Sequence, residues 1–313
     1  MKRKIIKLGT ATLVASLPAK WIREFGLKQG DYLEVNEKKG DLVLSTEKEM
    51  AKDETTIDIT KFNTKLALYR LAGAYVAGYN KIEILHEQHI KEYTTGKNRK
   101  TSEFIQSMIG KFIGIEIIEQ SEKKTVLKDL SGVSETDADN ILRRAFLLTK
   151  WLAPECLEAI KKRNKEDLGE IENKARNVYK FLYFYRRLLN KKGYKDFSKT
   201  PIMYHNTYLI GDIARILHSL AHETAEFKKE YSKSALDIFA KVVVLIDKLD
   251  NLFFDFSNEK VLHIMNEREA IIKKIKEDRN KFSKEDGYLY ANMDFVVKSV
   301  SHLEEGRFQL ETN

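Results

Sequence analysis

The sequence predicts a multidomain α+β protein with a strand-rich N-terminal module (1–46), a small mixed α+β domain (56–131) and a C-terminal all-α region (134–310). Length is the first reason, since 313 residues exceed one ordinary domain. The hydrophobic period is the second: it passes from short alternating runs, through a mixed stretch, to a sustained period near 3.6. Composition is the third, because 42% hydrophobic and 33% charged residues with only 3 Pro and 15 Gly describe packed cores and long helices rather than disorder. Several classes are excluded at once. The single cysteine, Cys156, rules out an internal disulfide framework or a cysteine-rich metal site and fits a reducing, cytoplasmic setting. The longest apolar stretch, around Leu66 to Tyr79, carries Arg70 and falls short of the ~20 residues of a membrane helix, so no membrane insertion is expected.

In the N-terminal module short strands surround one short helix. Lys4 to Leu8 and Thr12 to Leu17 read as strands, the second with Leu13, Ala15 and Leu17 alternating against Thr12, Val14 and Ser16. Pro18 suits the first turn of a helix running to Phe25, where its missing N–H would have no helical acceptor, and Gly26 can supply the left-handed residue that ends it. Gly30-Asp31 marks a turn, Tyr32 to Val35 a strand, Lys38 to Asp41 a hairpin connection and Leu42 to Leu44 its return. A unit of about 45 residues built this way cannot bury enough apolar surface alone. Interleaving two copies about a two-fold axis closes the strand edges and builds a shared core, so a homodimer is expected.

A polar linker, Thr46 to Thr55, leads to elements in the order βαβαββ. Strands are expected at Thr56 to Ile59, Lys81 to Leu85, Ile115 to Glu119 and Thr125 to Leu130, and helices at Thr64 to Ala77 and Thr101 to Ile113, closed by Gly78 and Gly114. The small α+β sandwich so described is of ferredoxin-like type. Between its second strand and second helix, Lys97, Arg99 and Lys100 precede a hydroxyl-rich helix start, where free N–H groups and the helix dipole favour anions. These three form a candidate anion loop; the alternative is a hydrated loop, since the glycine spacing of a Walker loop is missing.

From Ser134 onward six helices are expected, at Glu135 to Arg163, Glu166 to Lys191, Tyr204 to Glu230, Lys233 to Phe256, Glu259 to Arg279 and Lys284 to Phe308. Pro154 should kink or interrupt the first. At an offset of 80 residues, Tyr208-Leu209, Ser219 and His222 recur as Tyr288-Leu289, Ser299 and His302, which suggests two three-helix halves. His218, His222 and Glu226 at i, i+4 and i+8 are candidate ligands for a divalent metal, the one cofactor considered, and His263 with Glu267 repeats the spacing. Without a motif such as His-Glu-x-x-His the alternative is ordinary surface or packing residues. The row Tyr179, Phe181, Tyr183, Phe184, Tyr185 reads as core packing plus a partner surface, and Arg186, Arg187, Lys191 and Lys192 follow at the helix end where the dipole favours cations. No nucleophile lies at motif spacing from a base, and neither a phosphate-cradling glycine loop nor a dinucleotide fingerprint occurs, so an enzyme is not expected.

Charge separates the first module from the rest. Residues 1–30 hold Lys2, Arg3, Lys4, Lys7, Lys20, Arg23 and Lys28 against Glu24 alone, a net of +6 out of +8 for the whole chain, and residues 31–50 then turn acidic. One face built for a polyanion is the functional reading, and a solubilising terminus is the other. The run KIIKLGTATLVASLPAKWIREFGLKQGDYLEVNEKKGDLVLS, residues 4–45, resembles the SpoVT-AbrB swapped-hairpin DNA-binding family in its strand, glycine turn, strand ending in Leu-Pro, short helix, Gly-x-x-x-Gly-Asp and closing hairpin. The resemblance implies an intertwined dimer whose basic residues reach double-stranded DNA. Members of the family often carry an arginine after the turn glycine and two adjacent arginines on the helix; here Thr10 and Ala11 follow Gly9, and Ile22 stands beside Arg23. On that basis Lys2, Arg3, Lys4, Lys7, Lys20 and Arg23 are expected to contact phosphates, with Thr10 and Thr12 as neutral backbone or base-edge contacts. A solvated helix face is the competing reading for Lys20 and Arg23.

The succession of a swapped-hairpin module, a βαβαββ module and a six-helix bundle, with the run Asn140 to Leu148 (NILRRAFLL) entering the bundle, resembles archaeal PhoU-like phosphate uptake regulators. This implies a negative regulator of phosphate uptake, many relatives binding metal through Glu-x-x-x-Asp pairs. Such pairs are not retained: Glu172 is followed by Arg176, Ala214 by His218, and Asp294 by Lys298. The expectation is therefore a dimeric DNA-binding transcriptional regulator of phosphate homeostasis whose helical domain senses a signal or binds a partner. The alternative is an accessory protein that regulates a phosphate transporter, or another phosphate-signalling protein, by direct contact without a DNA role.

Overall fold

Residues 2–38, 41–46, 54–130, 138–278 and 282–312 are described by a computed structural model of the chain. They fall into two units, Met1–Thr55 and Thr56–Asn313. The turn expected at Lys39-Gly40, most of the linker before Thr55, and the helix ends expected at Glu135 and Arg279 lie outside the described residues.

The first unit consists of two hairpins and a helix. Strand β1 (Ile5–Leu8) pairs antiparallel with β2 (Thr12–Ala15), Ile5 opposite Ala15 and Leu8 opposite Thr12. Pro18 holds the N-cap position of α1 (Ala19–Glu24) rather than its first turn. The helix ends as the glycine signal requires: Gly26 adopts φ +58°, its N–H reaches the Arg23 carbonyl at 3.3 Å, and the Leu27 N–H reaches the Ile22 carbonyl at 2.9 Å. That pair of bonds is a Schellman stop. Strands β3 (Glu34–Lys38) and β4 (Asp41–Ser45) form the second hairpin, one strand starting two residues later than expected and leaving Tyr32 94% exposed.

The second unit begins within β5 (Glu54–Asp58), which is followed by α2 (Thr64–Ala77) and β6 (Lys81–Leu85). Both ends of α2 are set locally, since the Asn63 side chain accepts from the Leu66 N–H at 3.0 Å and Gly78 takes φ +103°. A hairpin absent from the sequence reading, β7 (His89–Lys91) and β8 (Asn98–Lys100), comes before α3 (Thr101–Ile109), β9 (Ile115–Gln120) and β10 (Lys124–Asp129). The sheet order is β5-β6-β10-β9, with β10 antiparallel to both β6 and β9. This corrects the ferredoxin-like expectation. A ferredoxin-like sheet splits the βαβ unit by placing another strand between its two strands. Here β5 and β6 are neighbours, tied by the Ile59 N–H to the Leu85 carbonyl at 2.9 Å, and the β9–β10 hairpin adds to the free edge of β6. Helix α3 also stops four residues early, which lets Phe112 turn inward against Tyr75 and Tyr183, at ring separations of 4.7 and 5.9 Å.

Among the described residues seven α-helices follow: α4 (Ala138–Lys162), α5 (Lys165–Lys192), α6 (Thr200–Glu226), α7 (Lys233–Asp247), α8 (Leu249–Phe254), α9 (Asn258–Asp278) and α10 (Lys284–Glu311). The fourth expected helix is thus two, broken where the Lys248 N–H turns back on the Leu245 and Ile246 carbonyls. Pro154 lies inside α4 without interrupting it. Helices α4, α5 and α6 pack on one another, as do α7, α9 and α10, and α6 meets α10 across the two sets. Of the residues in the repeat, Leu209 of α6 and Leu289 of α10 are both buried.

Sheet layer and helices are pinned together by α5. Phe184 enters the core of the sheet layer, and Arg187, only 1% exposed, closes over the C-terminal end of α2. Its guanidinium donates to the carbonyls of Tyr75 at 2.6 Å and Tyr79 at 2.9 Å and to Asp129 Oδ2 at 2.8 Å, while Asn190 Nδ2 donates to the Val76 carbonyl at 2.8 Å. The Tyr75 carbonyl, which also accepts from the Gly78 N–H at 3.1 Å, thereby faces a cation at the negative pole of the α2 dipole, and the Val76 carbonyl of the last turn is met by the Asn190 amide. Arg186 is buried too, bonded through Nε to Thr207 Oγ1 at 2.9 Å and lying 3.9 Å from the Tyr208 ring centroid. The expectation that Arg186 and Arg187 serve the end of their own helix is therefore corrected: they serve α2 and α6.

Candidate nucleic-acid interface

The N-terminal unit has a core in neither hairpin. No described residue of 2–46 is buried, and ten large apolar side chains are exposed, among them Ile5 (70%), Leu8 (63%), Leu13 (67%) and Leu42 (69%). Register explains why folding within one copy cannot hide them. Cross-strand partners share a face, so Ile5, Lys7, Leu13 and Ala15 lie on one side of the first hairpin and Ile6, Leu8, Thr12 and Val14 on the other. Both sides are apolar, and a two-stranded ribbon with nothing packed on it is marginal in water. In the second hairpin Val35, Leu42 and Leu44 share one face and Val43 occupies the other.

Against this apolar ribbon the cations are set outward. Lys2, Arg3, Lys4, Lys7, Lys20 and Arg23 are all exposed, as are Thr10 in the β1–β2 turn and Thr12 at the start of β2. Among the described residues no carboxylate pairs with Lys2, Arg3, Lys4, Lys7 or Arg23. Lys20 differs, lying 3.6 Å from Glu24 one turn along α1. An exposed pair of this kind is weak, but it halves the net charge that the helix presents. Trp21 and Phe25, both half-buried, pack ring to ring at 5.5 Å. Lys7 and Thr12 fall on opposite faces of the hairpin, so a single flat contact reaches one or the other, and only the turn carrying Thr10 is common to both.

The candidate anion loop is not available as a set of three. Lys97 and Lys100 are exposed, but Arg99 sits in β8, where Nη1 meets Glu92 Oε1 at 3.1 Å and Nη2 donates to the Glu103 carbonyl at 3.2 Å. Hairpin pairing brings Glu92 to it and neutralises the loop from within. The candidate metal ligands are likewise not gathered: among the described residues no three of His, Cys, Asp and Glu come together as a metal site. Glu226 and His222 are exposed on α6, while half-buried His218 lies 6.4 Å from the His222 ring and 4.0 Å from Glu172, itself ion-paired with Arg176. Burial pushes the His218 imidazole below its ordinary pKa, with Glu172 acting in the opposite sense. In the second histidine pair, the Lys248 ammonium occupies the space a metal would take, 2.8 Å from His263 Nε2 and 2.5 Å from Glu267 Oε1.

Among the described residues no helix is long and apolar enough to cross a membrane. A family model described as antidote-toxin recognition MazE, bacterial antitoxin, matches residues 6–52, a span that takes in both hairpins and α1. No curated protein matches the chain.

Proposed function

We propose that the chain is a homodimeric DNA-binding transcriptional regulator, in which the N-terminal units of two copies interleave and present their cations to double-stranded DNA. The observation that carries this reading is the conjunction, among the described residues of 2–46, of ten exposed large apolar side chains with Lys2, Arg3, Lys4, Lys7 and Arg23, for none of which a carboxylate partner occurs there. Pairing two copies removes the apolar strands from water, each fully buried Leu or Ile contributing about 1.5–3 kcal/mol, and doubles the cationic surface. Lys2, Arg3, Lys4, Lys7 and Arg23 then contact phosphates, Lys20 does so by exchanging its Glu24 partner for a phosphate, and Thr10 and Thr12 offer neutral contacts. The match to a MazE-type module, which resembles the SpoVT-AbrB pattern read from residues 4–45, supports it.

The regulated process belongs to the same proposal. The long helices after residue 138, disposed as two sets of three, resemble PhoU-like regulators, and on that likeness the chain acts as a negative regulator of phosphate uptake and homeostasis, its helices serving as sensor or partner surface. No catalytic role and no metal enter the proposal. Removal of residues 1–45 tests the DNA reading in a mobility-shift assay against promoter fragments of phosphate-uptake genes. Retention should disappear; undiminished retention would refute the assignment. Co-purification of the full chain with a phosphate transporter, combined with no preference for any DNA, would favour the transporter-accessory reading instead.

A further inference from the structure

Where the sheet layer meets the helices, a groove of about 510 Å³ opens between the α3–β9 connection, α4 and α5. Ile113, Ile141, Leu147, Phe181 and Phe184 form its lining on the apolar side. Arg143 and Arg144, consecutive on α4 and both exposed, supply the charge. The Arg144 guanidinium lies 5.3 Å from the Phe181 ring centroid and that of Arg143 5.4 Å from Phe254, distances at which an aromatic face steadies a cation. Among the described residues neither arginine has a carboxylate partner, and Asp139, the acid in the first turn of the same helix, is bound to Lys195. Two exposed arginines consecutive on α4, with no carboxylate partner among the described residues, thus border an apolar cleft whose volume falls in the range of small-molecule sites, at a junction between structural layers where such sites concentrate.

We propose that this groove binds a small organic anion, one carboxylate or phosphate group attached to an apolar or aromatic body. Each half of the ligand answers one half of the site. The anionic group meets the forked donors of Arg143 and Arg144, whose planar geometry suits carboxylate and phosphate alike. The body covers Ile141, Leu147 and Phe181 and leaves water. A bare inorganic anion would use the arginines alone and gain nothing from the lining, and a long polyanion has no need of a cleft. Because Ile113 belongs to the sheet layer and the remaining side chains to α4 and α5, an occupant touches both layers at once. The inference does not depend on the N-terminal unit and stands or falls apart from the DNA reading.

Calorimetric titration of the full chain tests it with three probes: dodecanoate for an aliphatic body, adenosine 5′-monophosphate for an aromatic one, and inorganic phosphate for charge alone. Either organic anion should bind with a dissociation constant on the order of 100 µM or tighter, and inorganic phosphate at least tenfold more weakly. Arg143 and Arg144 are exposed, so the double variant R143Q/R144Q should keep its melting temperature and weaken the organic anion at least tenfold. Asn140, also on the groove and exposed, provides a second variant: Asn140→Trp obstructs the opening while keeping both cations, and should weaken the same probe. Binding of neither organic anion overturns the proposal, as does inorganic phosphate binding as tightly as they do, or binding that both variants leave unchanged.

Discussion

Replacing Arg187 with methionine should destabilise the second unit by about 3–5 kcal/mol, the range for removing one partner of a buried charged pair. The side chain is 1% exposed and makes three short charge-assisted bonds, to the Tyr75 and Tyr79 carbonyls and to Asp129, whose side chain is 13% exposed. Methionine keeps most of the volume, so a cavity contributes little; what is lost is the guanidinium. Bonds to a charged group are worth roughly 1.5–3 kcal/mol each, yet three lost together cost less than their sum, because Asp129 lies near enough to solvent to rehydrate. In a unit of this size 1 kcal/mol moves the melting temperature by about 2–4 °C, so the variant should melt roughly 10 °C lower when followed by circular dichroism. Lysine at the same position keeps a charge but not the fork, and should fall between the two. A loss below about 3 °C for the methionine variant would show that Arg187 fills space rather than joining α2 to α5.

Leu13→Asp should convert the proposed dimer to a monomer in light scattering: Leu13 is 67% exposed in one copy, its burial in both copies of that dimer would contribute roughly 2–4 kcal/mol, and a buried carboxylate would add a further penalty; an unchanged mass would contradict strand interleaving. Gly306→Ala should destabilise by about 1–3 kcal/mol in urea titration, because the added Cβ would lie 2.4 Å from Oδ1 of Asn206, which is 1% exposed and has nowhere to retreat; an unaffected midpoint would mean that α6 and α10 separate easily. His218→Gln probes a depressed pKa. The unfolded imidazole begins to take up protons near pH 6.5 while the folded one resists, so this residue's contribution is whole above pH 6.5 and is lost as pH falls toward the folded value. The wild type should therefore lose more stability than the glutamine variant between pH 7.5 and pH 5 by denaturant titration, and equal losses would contradict the assignment.

What was legible in the sequence was whatever local signals govern. Helix α2 runs from Thr64 to Ala77 as expected, because Asn63 caps its start and Gly78 its end within a residue or two of the helix itself. The Schellman stop at Gly26 is of the same kind. Features that depend on partners distant in sequence were not legible. The sheet order turns on which edge of β6 receives β10, a choice the element order βαβαββ leaves free. The β7–β8 hairpin has Ile90 as its one buried side chain and no alternating run to reveal it. Its consequence, Arg99 paired with Glu92, converts a candidate anion loop into an internal ion pair. Arg187 likewise looked like a helix-end cation until α2 was placed beneath it. In the N-terminal unit the position was reversed: short strands in a module of about 45 residues, too small to bury its own apolar surface, were readable directly, and none of its described residues is buried.

The salt dependence of duplex binding by the intact chain tests the proposed DNA surface most directly. Lys2, Arg3, Lys4, Lys7 and Arg23, for which no carboxylate partner occurs among the described residues, are doubled in the proposed dimer and correspond to some 6–10 phosphate contacts, for which affinity falls about 10³- to 10⁵-fold between 50 and 200 mM salt. Fluorescence anisotropy with a labelled promoter duplex should show a loss of that size, with a shallower slope once Lys2, Lys4 and Lys7 are changed to alanine. An affinity indifferent to salt, or no binding at 50 mM, would contradict a paired cationic surface built to hold DNA.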